Sequence, residues 1–165
     1  MTDDTFESAD LRAVHGKFVT GVTVVTTTEG DVPRGLTLNA FSSLTLEPPL
    51  VMVSVQTRSG THGPLFASRR FAINILSASQ EEVARVFAGK SPDKFENVEW
   101  APGTHGSPVL AGTTAWLEVA TTERVRVGTH TLFVGQVLAL GHTTLPPLVY
   151  AGGQFFDGAC LTREN

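Results

Sequence analysis

The stretch AWLEVATTERVRV-GT-H-TLFVGQVLAL, residues 115–140, reads as two long strands, Ala115–Val127 and Thr131–Leu140, joined at Gly128-Thr129. Working outward, other β-rich segments follow one another without intervening long helices. Val22–Thr28 stops at the polar turn Glu29-Gly30-Asp31 and resumes at Arg34–Asn39, so residues 22–39 read as a hairpin. Leu50–Val55 is a near-continuous apolar run behind Pro48-Pro49, the pattern of a strand buried on both faces. Phe71–Leu76 is a further short strand, and Leu148–Tyr150 a last one before a glycine-rich tail. Strands in succession without βαβ alternation point to an antiparallel barrel rather than a doubly wound sheet.

Two helices complete the pattern. Leu11, Val14 and Phe18 at i, i+3, i+7 predict an amphipathic helix over Ser8–Val19. Ser79 with Glu82 three residues on matches a capping box, and Val83, Val86 and Phe87 give the following helix its apolar face. Residues 89–106 read as a loop broken by Pro92, Pro102 and Gly103. Trp116 and Glu118 alternate with Leu117 and Val119, which is strand patterning and is expected to lie at a subunit contact. The expected class is mainly β (α+β), in one domain over residues 1–165 with its core at about 11–156.

Composition narrows the function. Charged residues are 17% of the 165, below the usual ~25%, which suggests that a partner or second subunit covers part of the surface. Net charge is −4 and the longest basic cluster is Arg69-Arg70, too small to track a phosphate backbone, so nucleic acid is not an expected partner. One cysteine, Cys160, excludes an internal disulfide and fits a reducing compartment. The acidic start has no apolar stretch behind it, and no run approaches the ~18 residues of a membrane span, so a cytoplasmic protein is expected.

Several motifs fail. Gly89-Lys90-Ser91 lacks the upstream glycine of a phosphate loop, since Ala84 stands there. No G-x-G-x-x-G, G-x-S-x-G or H-E-x-x-H is present, and the five histidines are spread singly, so no metal site is expected.

Seven segments do occur in a meaningful order. They are Phe18–Thr27 (FVTGVTVVTT), Gly35–Ser43 (GLTLNAFSS), Glu47–Val51 (EPPLV), Arg58–Thr61 (RSGT), Phe71–Leu76 with Gln80-Glu81, Asp93-Lys94-Phe95, and Gly128-Thr129-His130 leading to Pro147–Tyr150. Together they resemble the flavin reductase-like, FMN-binding split-barrel family, which includes the reductase components of two-component flavin-dependent monooxygenases. The resemblance implies an antiparallel split β-barrel with a few short helices, and an NAD(P)H:flavin oxidoreductase working as a homodimer. FMN or FAD and NADH or NADPH would be its cofactors, and a monooxygenase would receive the reduced flavin. Hydride would pass from nicotinamide C4 to flavin N5, with positioning supplying most of the acceleration.

The same resemblance assigns residues. Thr37, Leu38, Asn39 and Ala40, followed by a polar turn at Ser42 and Ser43, would lie along the flavin ring and ribityl chain. Small side chains there let backbone donors come close; on the residues alone, an ordinary Asn/Ser turn closing a strand is the favoured reading. Ala40 stands where the family more often has serine. Ser59 and Thr61, with Gln56 nearby and Arg58 as a cation, would cradle the flavin phosphate; a solvated loop is the alternative. Lys94 and Phe95 would add a cation and an apolar wall. His130 would position the nicotinamide, although Thr129 replaces the aspartate usual before it. Tyr150 would stand close to the nicotinamide, and Phe155 replaces a second tyrosine. A split-barrel flavoprotein with tightly held FMN acting on another substrate, or a flavin carrier without turnover, remains the alternative.

Overall fold

The computed structural model describes residues 6–161. In chain order its elements are α1 (Ser8–His15), β1 (Thr20–Gly21), β2 (Thr23–Glu29), β3 (Val32–Leu38), β4 (Phe41–Thr45), β5 (Leu50–Gln56), α2 (His62–Ala67), β6 (Arg70–Ile75), α3 (Glu81–Ala88), β7 (Trp100–Pro102), β8 (Pro108–Leu110), β9 (Ala115–Val127), β10 (His130–His142), β11 (Leu148–Ala151) and β12 (Gln154–Asp157). Single 3-10 turns lie at Ala78–Gln80 and Gly158–Cys160.

The centre is the hairpin β9–β10, two 13-residue strands in antiparallel register from His130↔Val127 to His142↔Ala115. Gly128 opens its two-residue loop at φ 55°, a conformation that costs a residue without Cβ nothing. Outward from this hairpin the main sheet has the order β3-β2-β6-β9-β10-β5-β4, with every pair antiparallel. Its edge strands, β3 and β4, are consecutive in sequence and joined only by Asn39 and Ala40. The sheet therefore curls until its edges nearly meet, but no ladder closes it: the barrel is split at that link. A small sheet β1-β11-β12 and the hairpin β7-β8 pack outside.

Strand alternation builds two cores from one sheet. Val25, Val51, Val53, Val55, Phe71, Ile73, Val119 and Phe133 meet inside the curl, with Leu65 of α2. Val22, Val24 and Leu76 face outward and are covered by Ala84 and Phe87 of α3, with Leu110 and Leu148.

Several expectations are corrected here. The strands buried on both faces are β2, with Thr23–Thr27 all buried, and its neighbour β6, with Phe71–Asn74 all buried, whereas β5 alternates and leaves Leu50, Met52, Ser54 and Gln56 half-exposed. Threonine suits β2 because each buried hydroxyl donates to a carbonyl: Thr23 to Leu38 at 2.7 Å, Thr27 to Arg70 at 3.0 Å, and Thr26 to Pro108. The capping box belongs to Ser77 and Gln80, not Ser79 and Glu82. Residues 41–45 are a strand rather than a polar turn, β7 lies inside the expected loop 89–106, and β12 follows the tail glycines Gly152-Gly153. Helix α1 ends at His15, four residues early, and its Leu11 and Val14 are exposed.

Glu118 is not at a surface. It is fully buried, and its carboxylate accepts hydrogen bonds from the backbone N–H of His105 (3.0 and 3.1 Å) and Ser107 (3.1 Å), pinning the loop between β7 and β8. Among the described residues no helix is long and apolar enough to cross a membrane, and no three His, Cys, Asp or Glu side chains gather as a metal set.

Candidate functional site

A pocket of about 1020 Å³ opens on the outer side of the sheet at the split. One wall is β3 with the link Asn39-Ala40, a second is the loop Arg58–Thr61 after β5, and a third is the end of α3 with residues 89–95. Gln56 and His130 are cross-strand partners and so face the same side. Ser54, two residues along β5, shares that face, and all three line the pocket.

Ten of the thirteen expected residues come together here: Thr37, Leu38, Asn39, Ala40, Gln56, Ser59, Thr61, Lys94, Phe95 and His130. Three do not. Ser42 and Ser43 belong to β4, where Ser42 pairs with Met52 and donates to the Ser43 carbonyl at 3.1 Å. Tyr150 lines a neighbouring cavity, against Phe155.

Two of the ten are already committed to the framework. The Thr37 hydroxyl donates to the Ala84 carbonyl at 2.7 Å, tying β3 to α3. The buried Thr61 hydroxyl donates to the Gly35 carbonyl at 2.9 Å, tying the loop Arg58–Thr61 to the same strand. Lys94 Nζ donates to Gly35 (3.2 Å) and Phe87 (2.9 Å), which leaves its third N–H for a ligand. Burial holds its pKa below the ordinary 10.5. Gly35 itself must lack a side chain, because a Cβ there would lie 2.6 Å from the Phe87 ring. The imidazole of His130 is oriented by its neighbour, with Thr129 Oγ1 3.1 Å from Nδ1. The Thr129 hydroxyl thus contacts the ring although it is no carboxylate.

Other groups remain free. Among the described residues no partner is found for the backbone N–H of Asn39, Ala40, Arg58 or Gly60, or for the side chains of Asn39, Gln56 and Arg58. Sequence reasoning missed part of the third wall: Ala88 to Pro92 line the pocket, including the Lys90 that fits no phosphate loop. Arg34 also lines it and is paired with Glu29 at 2.9 Å. The lining thus holds Arg34, Arg58, Lys90 and Lys94 and no carboxylate.

A volume at the top of the ~300–1,000 Å³ range of small-molecule sites, four cations and four unpartnered amides select a large polyanion with an extended polar edge. A flavin nucleotide fits that description: its ring edge takes backbone donors and its phosphate takes cations. The architecture accordingly defines a nucleotide-binding split-barrel protein. The chain belongs to the flavin reductase like domain family, whose model matches residues 15–159.

Individual relatives agree. The chain is 40% identical to the NADH-dependent FAD reductase of Streptomyces globisporus, over 92% of this chain and 86% of that one. The solved structure of the NADH:FAD oxidoreductase from that organism in complex with NAD and FAD fragments superposes with a TM-score of 0.87 at 40% identity, covering 91% of this chain and 92% of the other. A flavin-dependent monooxygenase reductase subunit of Mycobacterium tuberculosis is 37% identical over 86% of this chain and 78% of its own. The Probable flavin reductase of Rhizobium meliloti is 37% identical over 94% of this chain. This chain spans 50% of the length of that last relative.

Proposed function

We propose that the chain is an NAD(P)H-dependent flavin reductase that supplies reduced FMN or FAD to a monooxygenase. The observation that carries the proposal is the acid-free pocket at the split, whose cations and unpartnered amides match a flavin nucleotide in size and charge. Bound there, a flavin supplies the electron-accepting ring, so no protein nucleophile is needed. The protein's part is holding and orienting. Arg58, Ser59 and Gly60 meet the phosphate, with Lys94 and Lys90 opposite. Asn39 and Ala40 offer backbone donors to the ring edge, where negative charge develops on reduction. His130, fixed by Thr129, sits beside Gln56 on the open side and positions the nicotinamide.

A cytoplasmic homodimer belongs to the same proposal. The outer face of β10 and β5 carries half-exposed Leu132, Val134 and Met52, and Leu138, at the bulge of β10, is exposed. Such an apolar stripe beside the pocket suits a second copy. The free thiol of Cys160 suits a reducing compartment. A sedimentation mass of two chains is expected; a monomer at micromolar concentration would remove the dimer.

The activity is tested by anaerobic mixing of protein, FMN or FAD, and NADH or NADPH in the four combinations. The flavin's visible band should bleach much faster than without protein in at least one of them. Flavin binding without bleaching in any combination would leave a carrier instead.

A further inference from the structure

The loop Arg58–Thr61 rounds the end of the β5–β10 ladder, from Gln56 on the pocket side to His62 at the barrel interior. Both of its ends are fastened to the start of β10. At the entry, the N–H of Thr57 donates to the Thr129 carbonyl at 2.9 Å, and the Thr57 hydroxyl donates to the same oxygen at 3.1 Å. At the exit, Nε2 of His62 lies 2.9 Å from Oγ1 of Thr131. Thr129 and Thr131 are the two residues that flank His130. Thr129 has a second task, since its own hydroxyl contacts Nδ1 of His130 at 3.1 Å.

The exit fastening is built into the core. Thr131 is buried, at 3% exposure, and among the described residues the His62 ring is the one partner of its hydroxyl. That ring stacks on Phe66 and meets Phe133 edge-on, with 5.8 Å between centroids in each case, so aromatic packing fixes the plane in which Nε2 points at Thr131. His62 opens α2, and its N–H donates back to the Ser59 carbonyl at 3.0 Å. The ring therefore sets the position of the turn that carries Ser59 and Thr61. None of Thr57, His62 and Thr131 lines the pocket, so each acts only through its neighbours.

We infer that His62 and Thr57 are positioning residues, which hold the flavin-phosphate loop and the nicotinamide-positioning imidazole of His130 as one rigid unit. The inference rests on the flavin reductase proposal. Hydride transfer depends on placing two rings together, and a misplacement of about 1 Å costs on the order of 100-fold. The loop holds one ligand and the imidazole the other. A loop tied at one end only would leave their separation free. Fastenings to the residues on either side of His130 remove that freedom.

The test uses riboflavin, which is FMN without its phosphate. Wild type should bind FMN about ten-fold more tightly than riboflavin or better. It is compared with His62→Phe, Thr131→Val and the double variant. Phenylalanine keeps the packing against Phe66 and Phe133, and valine keeps the shape of threonine. Each single variant strands one polar partner, whereas the double removes both, so the melting temperature should fall in the singles and recover in the double. FMN affinity should nevertheless fall about five-fold or more in all three, with riboflavin affinity within about two-fold of wild type. At saturating riboflavin, where no phosphate contact contributes, kcat/KM for NADH or NADPH should also fall about three-fold or more in all three. Thr57→Val should show the same pattern more weakly, because its N–H bond remains.

FMN affinity that recovers with the melting temperature in the double variant would overturn the inference, since packing alone would then suffice. So would an equal loss for FMN and riboflavin, an unchanged kcat/KM, or a wild type that does not distinguish the two flavins. If the wild type prefers FMN to riboflavin but reduces neither, the reductase proposal falls and the affinity ratio still decides the role of His62. If it reduces flavin with that ratio constant across the variants, the positioning role falls and the reductase proposal stands.

Discussion

Lys94 Nζ and the carbonyl oxygen of Gly35 lie 3.2 Å apart, so a partly buried ammonium braces the edge strand that borders the pocket. Thr61 donates to the same oxygen, and Phe87 packs against the bare Cα of Gly35. Three walls of the pocket therefore converge on one glycine.

Burial lowers the Lys94 pKa from 10.5, and no carboxylate lines the pocket around it. The unfolded chain then holds this proton to higher pH than the folded one. Between the lowered pKa and 10.5 the group makes stability rise with pH. A bound phosphate favours the charged form and raises the pKa again. Flavin binding should thus take up a proton in this window, and affinity should fall as pH rises through it. Fluorescence titrations of wild type and Lys94→Met from neutral pH to 10.5 should show the fall in the wild type only. Affinity equally flat in both would remove Lys94 from the phosphate site.

Glu118 has a structural task away from the pocket. Replacing it by alanine leaves the His105 and Ser107 N–H groups without their acceptor, at a cost of about 2–4 kcal/mol. Glu118→Gln keeps an acceptor and should lose less. Urea unfolding measures both, and flavin reduction by the surviving folded protein should be unchanged.

His130→Ala should lower kcat/KM for the nicotinamide nucleotide about ten-fold or more while flavin affinity stays within two-fold. Thr129→Val, which removes the hydroxyl 3.1 Å from Nδ1, should give a smaller loss of the same kind. Steady-state kinetics with a parallel flavin titration check this. Equal loss of flavin affinity would mean that His130 serves the flavin instead.

The long hairpin was legible because thirteen-residue strands around a Gly-Thr loop carry a strong β signal on their own. Edge pieces were not. β4 carries Ser42 and Ser43 because one side of it is unpaired, and such residues look like a turn. β12 hides behind Gly152-Gly153, whose paired positive φ values make a hairpin turn that composition alone shows as a tail. The site was legible where it follows chain order within one strand or loop, as in Thr37–Ala40 and Arg58–Thr61. Tyr150 stands apart from the other ten because pairing with β1 and β12 turns β11 toward the neighbouring cavity. Lys90 was missed because its place in the pocket lining comes from where α3 ends, not from a motif.

The placement of the flavin is tested most directly by residue-resolved amide hydrogen exchange with and without FMN or FAD. Asn39, Ala40, Arg58 and Gly60, whose N–H groups have no partner among the described residues, should exchange fast in the free protein and slow markedly with ligand. Protection confined to other segments, or none at saturating flavin, would contradict a flavin seated at the split of the barrel.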